Sequence, residues 1–194
     1  MTPATPPGRP RDHRIDEAVI EATRELLVSE GYSGLSLAAV ATRAGTTTPA
    51  IYRRWPSKVH LVHEAVFPAA LASGVPTTGD LASDVRAIVE GSAALFSDPV
   101  LRAALPGLIS DLAQHPDLHR ELMDRLWGSR LGEAQRFLDQ GAEHGLLRRG
   151  IRAEHLLGLI GGSAVLSVLT PHAQELDDSW IDAITHLVTE GITP

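Results

Sequence analysis

The sequence predicts an all-α fold. Apolar residues recur at helical spacing throughout the 194 residues, strand-like alternation of β-branched and aromatic residues is missing, and Gly, Pro, Ser, Thr or Asp punctuates the periodic segments where helix ends favour them. The first helix carries Ile15, Ala18, Val19, Ala22, Leu26 and Leu27 on one stripe and meets a stop signal at Gly31. Ser36 suits the N-cap of a short second helix with Leu37, Val40, Ala41 and Ala44 inward, ended by Gly45. Thr48-Pro49 restarts a third helix, because a proline in the first turn forfeits no needed N–H, and this helix runs to about Trp55. Ser57 caps a fourth, carrying Leu61, Val62, Ala65 and Val66. After a turn-rich break at 74–80, helices are expected at about Leu81–Phe96, Pro99–Ala113, Asp117–His144, Ala153–Leu169 and Asp178–Glu190. Pro106-Gly107 interrupts the second of these, and Pro68 kinks or stops the helix that connects to them.

The domains expected are a disordered Pro/Thr-rich leader at 1–11, a three-helix domain at 12–60 and a larger helical domain at 61–194. Cysteine is absent, which excludes disulfides, thiolate metal sites and a cysteine nucleophile. No stretch approaches the roughly 18 uninterrupted apolar residues of a membrane helix. A soluble, cytoplasmic protein with no membrane partner is the expectation.

A net charge of −7 argues against a nucleic-acid binder, whose affinity comes largely from neutralised phosphates, until its distribution is considered. Residues 1–60 carry eight Arg/Lys against six Asp/Glu, whereas 61–194 carry nine against eighteen. From Gly31 to His63 there are Arg43, Arg53, Arg54 and Lys58 and no acid, so one face is expected to be free of phosphate repulsion. Within that stretch Ala41 permits close approach of two helices, Gly45 permits φ > 0 at the turn, and Ile51 plugs the third helix inward. Those roles occur in the order a helix-turn-helix needs. The outward residues would be Thr47, Thr48, Ala50, Arg53 and Arg54, a surface able to enter a major groove.

Gly31-Tyr32, Ser36-Leu37, Val40-Ala41, Ala44-Gly45, Ile51-Tyr52, Trp55 and Ser57-Lys58 together resemble the TetR family of transcriptional regulators over residues 12–67. The resemblance implies that the third helix reads DNA, that Tyr52 and Lys58 contact phosphate, and that Ser36 and Arg43 flank the backbone. The candidate DNA-binding set is Ser36, Arg43, Thr46, Thr47, Thr48, Ala50, Tyr52, Arg53, Arg54 and Lys58. Lys58 has separate support, since a cation in the first turn opposes the helix dipole and makes better sense beside a phosphate. Thr48-Pro49 and Arg53-Arg54 depart from the family's commonest residues, so an arginine there is expected to pair with guanine and give a G-containing half-site. Arg9, Arg11 and Arg14 either belong to a disordered leader or reach toward the minor groove.

The resemblance further implies double-stranded operator DNA, a small-molecule effector and a second copy of the chain as partners, with ligand binding and dimerisation after residue 75. The expected function is a repressor released from a near-palindromic operator. An activator with the same fold, or a helical ligand-binding or scaffolding protein without operator-specific binding, is the alternative. For dimerisation the candidates are the last two helices, with Gly158, Gly161, Gly162, Ser163 and Ala164 and the apolar Leu156, Leu159, Ile160, Leu166, Ile181, Ile184, Leu187 and Val188. An intrachain contact would explain the same pattern. Phe96, Leu105, Ile109, Met123, Trp127 and Leu131 are candidates to line an effector pocket, with Phe137 nearby, although each also suits ordinary core. His60 with His63 and His115 with His119 have helical spacing but lack further ligands, so no metal is expected. Nor is a cofactor, and no phosphate loop or nucleophile elbow suggests an enzyme.

Overall fold

The computed structural model describes residues 13–67, 78, 80–170 and 175–194, apart from the side chains of residues 125–127, 129 and 130. Pro68 and the leader at 1–11 lie outside the described residues. Among those described there are nine helices and no strand: α1 (His13–Gly34), α2 (Leu37–Arg43), α3 (Thr48–Tyr52), α4 (Lys58–Val66), α5 (Leu81–Ser97), α6 (Pro99–Gln114), α7 (Pro116–Glu143), α8 (Ala153–Leu169) and α9 (Asp178–Ile192). No helix among them is long and apolar enough to cross a membrane.

Side-chain caps explain why so many of these helices begin where they do. Ser36, Thr47 and Ser57 accept hydrogen bonds from the backbone N–H groups of Ala39, Ala50 and His60, and Asp80, Asp98 and Asp177 do the same for α5, α6 and α9. Each such cap contributes about 1 kcal/mol. Gly45, at φ 64°, closes α2: Thr46 N–H reaches the Ala41 carbonyl at 2.9 Å and Gly45 N–H reaches that of Thr42 at 3.3 Å. The stop at Gly31 takes a different form from the one expected. Its φ of 70° breaks the helical path, but one more turn follows and carries Tyr32 into the core.

The N-terminal core gathers Val19, Ala22, Leu26 and Leu27 of α1 with Val40, Ala41, Ile51, Trp55 and Leu61. Helix α4 packs on both α1 and α6, and α1 lies along α6, so the two parts of the chain share one apolar core. Helix α6 is continuous through Pro106, contrary to the expected interruption. Gly107 has a separate purpose: a Cβ there would lie 2.2 Å from Cδ1 of Tyr32, so its missing side chain is the space the ring occupies.

In the C-terminal part, α5 packs against α6, α8 and α9, and α7 against α6 and α8. The expected dimer-forming residues divide into two sets. Leu156, Ile160, Ile181 and Val188 are buried within the protomer, whereas Leu159, Leu166 and Leu187 are 63%, 62% and 66% exposed. An added Cβ at Gly158, Gly161 or Gly162 would meet nothing within 4 Å, so no contact among the described residues accounts for these glycines.

Candidate nucleic-acid interface

Helix α3 is held by few residues. Ile51 is buried beneath it, Thr47 caps it, and Trp55 just beyond it is buried with its indole N–H donating to Glu64 of α4 at 2.9 Å. That arrangement leaves Thr47, Tyr52 and Arg53 exposed and Thr46, Thr48 and Ala50 half-buried. Tyr52 is 52% exposed, unusual for an aromatic side chain next to a well-packed core. Ser36 is exposed at the start of α2, where its hydroxyl is the cap.

The four cations of the acid-free stretch have different surroundings, and tertiary structure corrects the expectation that they present one unopposed positive face. Helix α1 brings two carboxylates alongside. Arg43 pairs with Glu25 at 3.0 Å on the surface. Arg54 pairs with Asp16 and also donates to the Ala50 carbonyl at 3.3 Å; at 23% exposure its guanidinium ties α1 to α3 and does not lie on the outward face. Arg53 alone of the four has no ion-pair or hydrogen-bond partner among the described residues, so it is the arginine available to a base edge.

Lys58 is tucked against Tyr32. Its ammonium donates to the Tyr32 carbonyl at 2.5 Å and sits 4.3 Å from the centre of the Tyr32 ring. Burial there lowers the lysine's pKa, and the negative charge of Asp111 opposes the shift. The Tyr32 hydroxyl in turn donates to Asp111 Oδ2 of α6 at 2.5 Å. Burial, and then this bond to a carboxylate, raise the phenol's pKa well above its ordinary value. Sequence reasoning missed the partner of the Tyr32 hydroxyl, 79 positions away. It also missed Arg24, whose guanidinium bonds the Ala65 carbonyl at 2.6 Å and Asp98 Oδ2 at 2.9 Å, joining α1 to the end of α4 and the start of α6. Arg14 is exposed, and Arg9 and Arg11 lie outside the described residues.

The expected pocket residues are dispersed. Phe96 and Leu105 are buried core, Ile109 is 40% exposed, Met123 and Leu131 are half-buried, and the Trp127 side chain lies outside the described residues. Leu131 lines a concavity of about 510 Å³ with Gln135, Asp139 and the 150–154 segment. A second, of about 210 Å³, is walled by Leu81, Phe137 and Leu147 and includes Asp84. Among the described residues no three His, Asp or Glu side chains converge as metal ligands. His60 bonds Ser57, His63 is buried against Phe67, and His115 bonds the Asp111 carbonyl.

Comparison with known proteins agrees with this architecture at both ends of the chain. A family described as "Bacterial regulatory proteins, tetR family" matches residues 19–65, and "Tetracyclin repressor-like, C-terminal domain" matches residues 75–188. The chain is 24% identical over 186 residues to the uncharacterized HTH-type transcriptional regulator YdeS of Bacillus subtilis, spanning 95% of this chain and 93% of that one. It is 26% identical over 191 residues to the HTH-type regulator Rv1556 of Mycobacterium tuberculosis, spanning 97% and 89%. Among solved structures, the TetR-family regulator SCO0332 superposes with a TM-score of 0.69 at 25% identity, covering 93% of this chain and all of that one (100%). A TetR-family regulator from Mesorhizobium loti shares the fold at a TM-score of 0.65 and 20% identity, with 94% and 96% covered. With the helix-turn-helix in place and both family domains matched, this chain belongs to the TetR family of bacterial DNA-binding transcriptional regulators.

Proposed function

We propose that the chain acts in the cytoplasm as a homodimeric repressor that grips a near-palindromic operator through α3 and releases it when a small effector occupies the C-terminal domain. The observation that carries DNA contact is the outer surface of α3. Arg53 and Tyr52 are exposed beside small and hydroxylated residues, on a helix whose inner face is anchored by Ile51. Arg53 reads a guanine, Tyr52 and Lys58 meet phosphates, and Ser36, Thr46, Thr47 and Thr48 supply short polar contacts near the backbone. Arg43 and Arg54 contribute less than their charge suggests, because α1 already neutralises them.

The dimer is supported by exposed leucines beside glycines that have open space around them on α8. A glycine in a helix interior costs about 1 kcal/mol relative to alanine, which a close helix–helix approach from a second copy would offset. In such a dimer two α3 helices sit about 34 Å apart to enter successive major grooves, and an effector that alters this spacing lowers DNA affinity reciprocally. Fluorescence anisotropy on duplex DNA from the promoter of the protein's own gene tests the reading. The apparent affinity should fall steeply and log-linearly with salt and drop again in Arg53→Ala; weak binding unaffected by either change would overturn it.

A further inference from the structure

Tyr32, Lys58, Gly107 and Asp111 form one connected feature that lies between the DNA-binding part and the C-terminal part of the chain. Gly107 and Asp111 are one helical turn apart on α6 and so share a face. The Tyr32 ring fills the space above Gly107, its hydroxyl is bonded to Asp111, and its carbonyl and ring face together hold the Lys58 ammonium. An ammonium has three donors, and the Tyr32 carbonyl takes one of them. A lysine held in this way retains donors for another acceptor while losing much of the side-chain freedom it would otherwise give up on binding.

We propose that Tyr32 and Asp111 are positioning residues for Lys58, so that a carboxylate on the C-terminal domain sets how well the DNA-binding domain holds a phosphate. This rests on the reading of Lys58 as a phosphate contact and adds the route by which α6 governs it. A shift of α6 carries Asp111 with it, turns or frees the Tyr32 ring, and releases the ammonium from its fixed place. A second contact across the same boundary provides the control. Arg24 bonds Asp98 and the Ala65 carbonyl, so it docks α1 on α6 and α4 without touching Lys58.

The test is a set of double-mutant cycles in the full-length protein, using the duplex that the wild type enriches from a random pool. Lys58→Gln should weaken binding roughly tenfold, as for loss of a charge-assisted hydrogen bond. It should also reduce the slope of log K against log salt by about 0.9 per protomer. Tyr32→Phe and Asp111→Ala should each weaken binding by about threefold or more when Lys58 is present and by much less in the Lys58→Gln background. Asp111→Asn keeps an acceptor for the Tyr32 hydroxyl and should recover most of the loss; where Asp111→Ala does not fold, the Tyr32→Phe cycle carries the test. Arg24→Gln should lower the unfolding midpoint while its effect on DNA binding adds independently to that of Lys58→Gln. If Tyr32→Phe and Asp111→Ala cost the same with and without Lys58, the positioning role is overturned while the phosphate contact stands. If Lys58→Gln changes neither affinity nor slope, the phosphate contact itself fails and the positioning role with it.

Discussion

Substituting Gly107 by alanine tests how closely the two parts of the chain dock. An added Cβ would stand 2.2, 2.5 and 2.8 Å from Cδ1, Cγ and Cβ of Tyr32. Non-bonded carbons rest at about 3.5–4.0 Å, so the ring must retreat by more than about 1 Å. It cannot do so freely, because its hydroxyl is fixed to Asp111 and Lys58 covers its face. Overpacking of this kind costs about 1–3 kcal/mol, against which alanine's helix propensity returns roughly 1. The net expectation is a loss of up to about 2 kcal/mol, read as a lower urea midpoint at fixed protein concentration. Gly91→Ala in α5 is the matched control. Its Cβ would meet nothing within 4 Å, so propensity alone should stabilise the protein by about 0.5–1 kcal/mol. Placing Gly107→Ala in a Tyr32→Ala background should remove most of its cost. If Gly107→Ala proves as stable as Gly91→Ala, the close approach of Tyr32 to α6 does not constrain the fold and the docking argument is refuted.

The two neighbouring arginines should separate cleanly by assay. Arg53→Ala should reduce discrimination at a G·C pair in a selection or competition experiment. Arg54→Ala should leave that discrimination intact and destabilise the protein by about 1–2 kcal/mol in urea, since its pair with Asp16 is largely shielded from water. Leu166→Asp should convert the dimer to monomer in sedimentation velocity, because the side chain is exposed in the protomer and its replacement leaves the monomer's core intact. The Tyr32 phenol is one of only two in the chain, so alkaline titration at 295 nm can follow it. Its raised pKa means that the stability contributed by the neutral phenol is fully present below its ordinary value of 10.0 and is lost as pH rises toward the folded-state value. Tyr32→Phe should abolish the late-titrating step; if the step it removes is instead centred at the ordinary tyrosine value, the burial and the Asp111 bond are contradicted.

What could be read from sequence was local. The bounds of α8 at Ala153–Leu169 follow from apolar periodicity, and the starts of α2 and α4 follow from capping hydroxyls at Ser36 and Ser57; the start of α3 is read from Thr48-Pro49, although the hydroxyl that caps it belongs to Thr47. The Gly45 turn and the inward Ile51 were legible for the same reason. What escaped depends on residues distant in the chain. An acid-free run from 31 to 63 says nothing about Asp16 and Glu25, which α1 lays against Arg54 and Arg43. Pro106-Gly107 has the local appearance of a break, yet the helix continues through both, and the glycine answers to a ring from α1 that occupies the space at 107. Pocket residues were the least legible, since Phe96 and Leu105 have the composition of a ligand wall but pack into the shared core.

The proposed function requires that α3 select an operator sequence in duplex DNA. Selection from a random duplex pool by the full-length protein, followed by sequencing, measures this directly. The prediction is enrichment of an inverted repeat with half-site centres about 10 base pairs apart, or a multiple of that. Each half-site should contain a G·C pair whose enrichment disappears in Arg53→Ala. A pool that emerges without an enriched sequence, while the protein remains folded and dimeric, would contradict the claim.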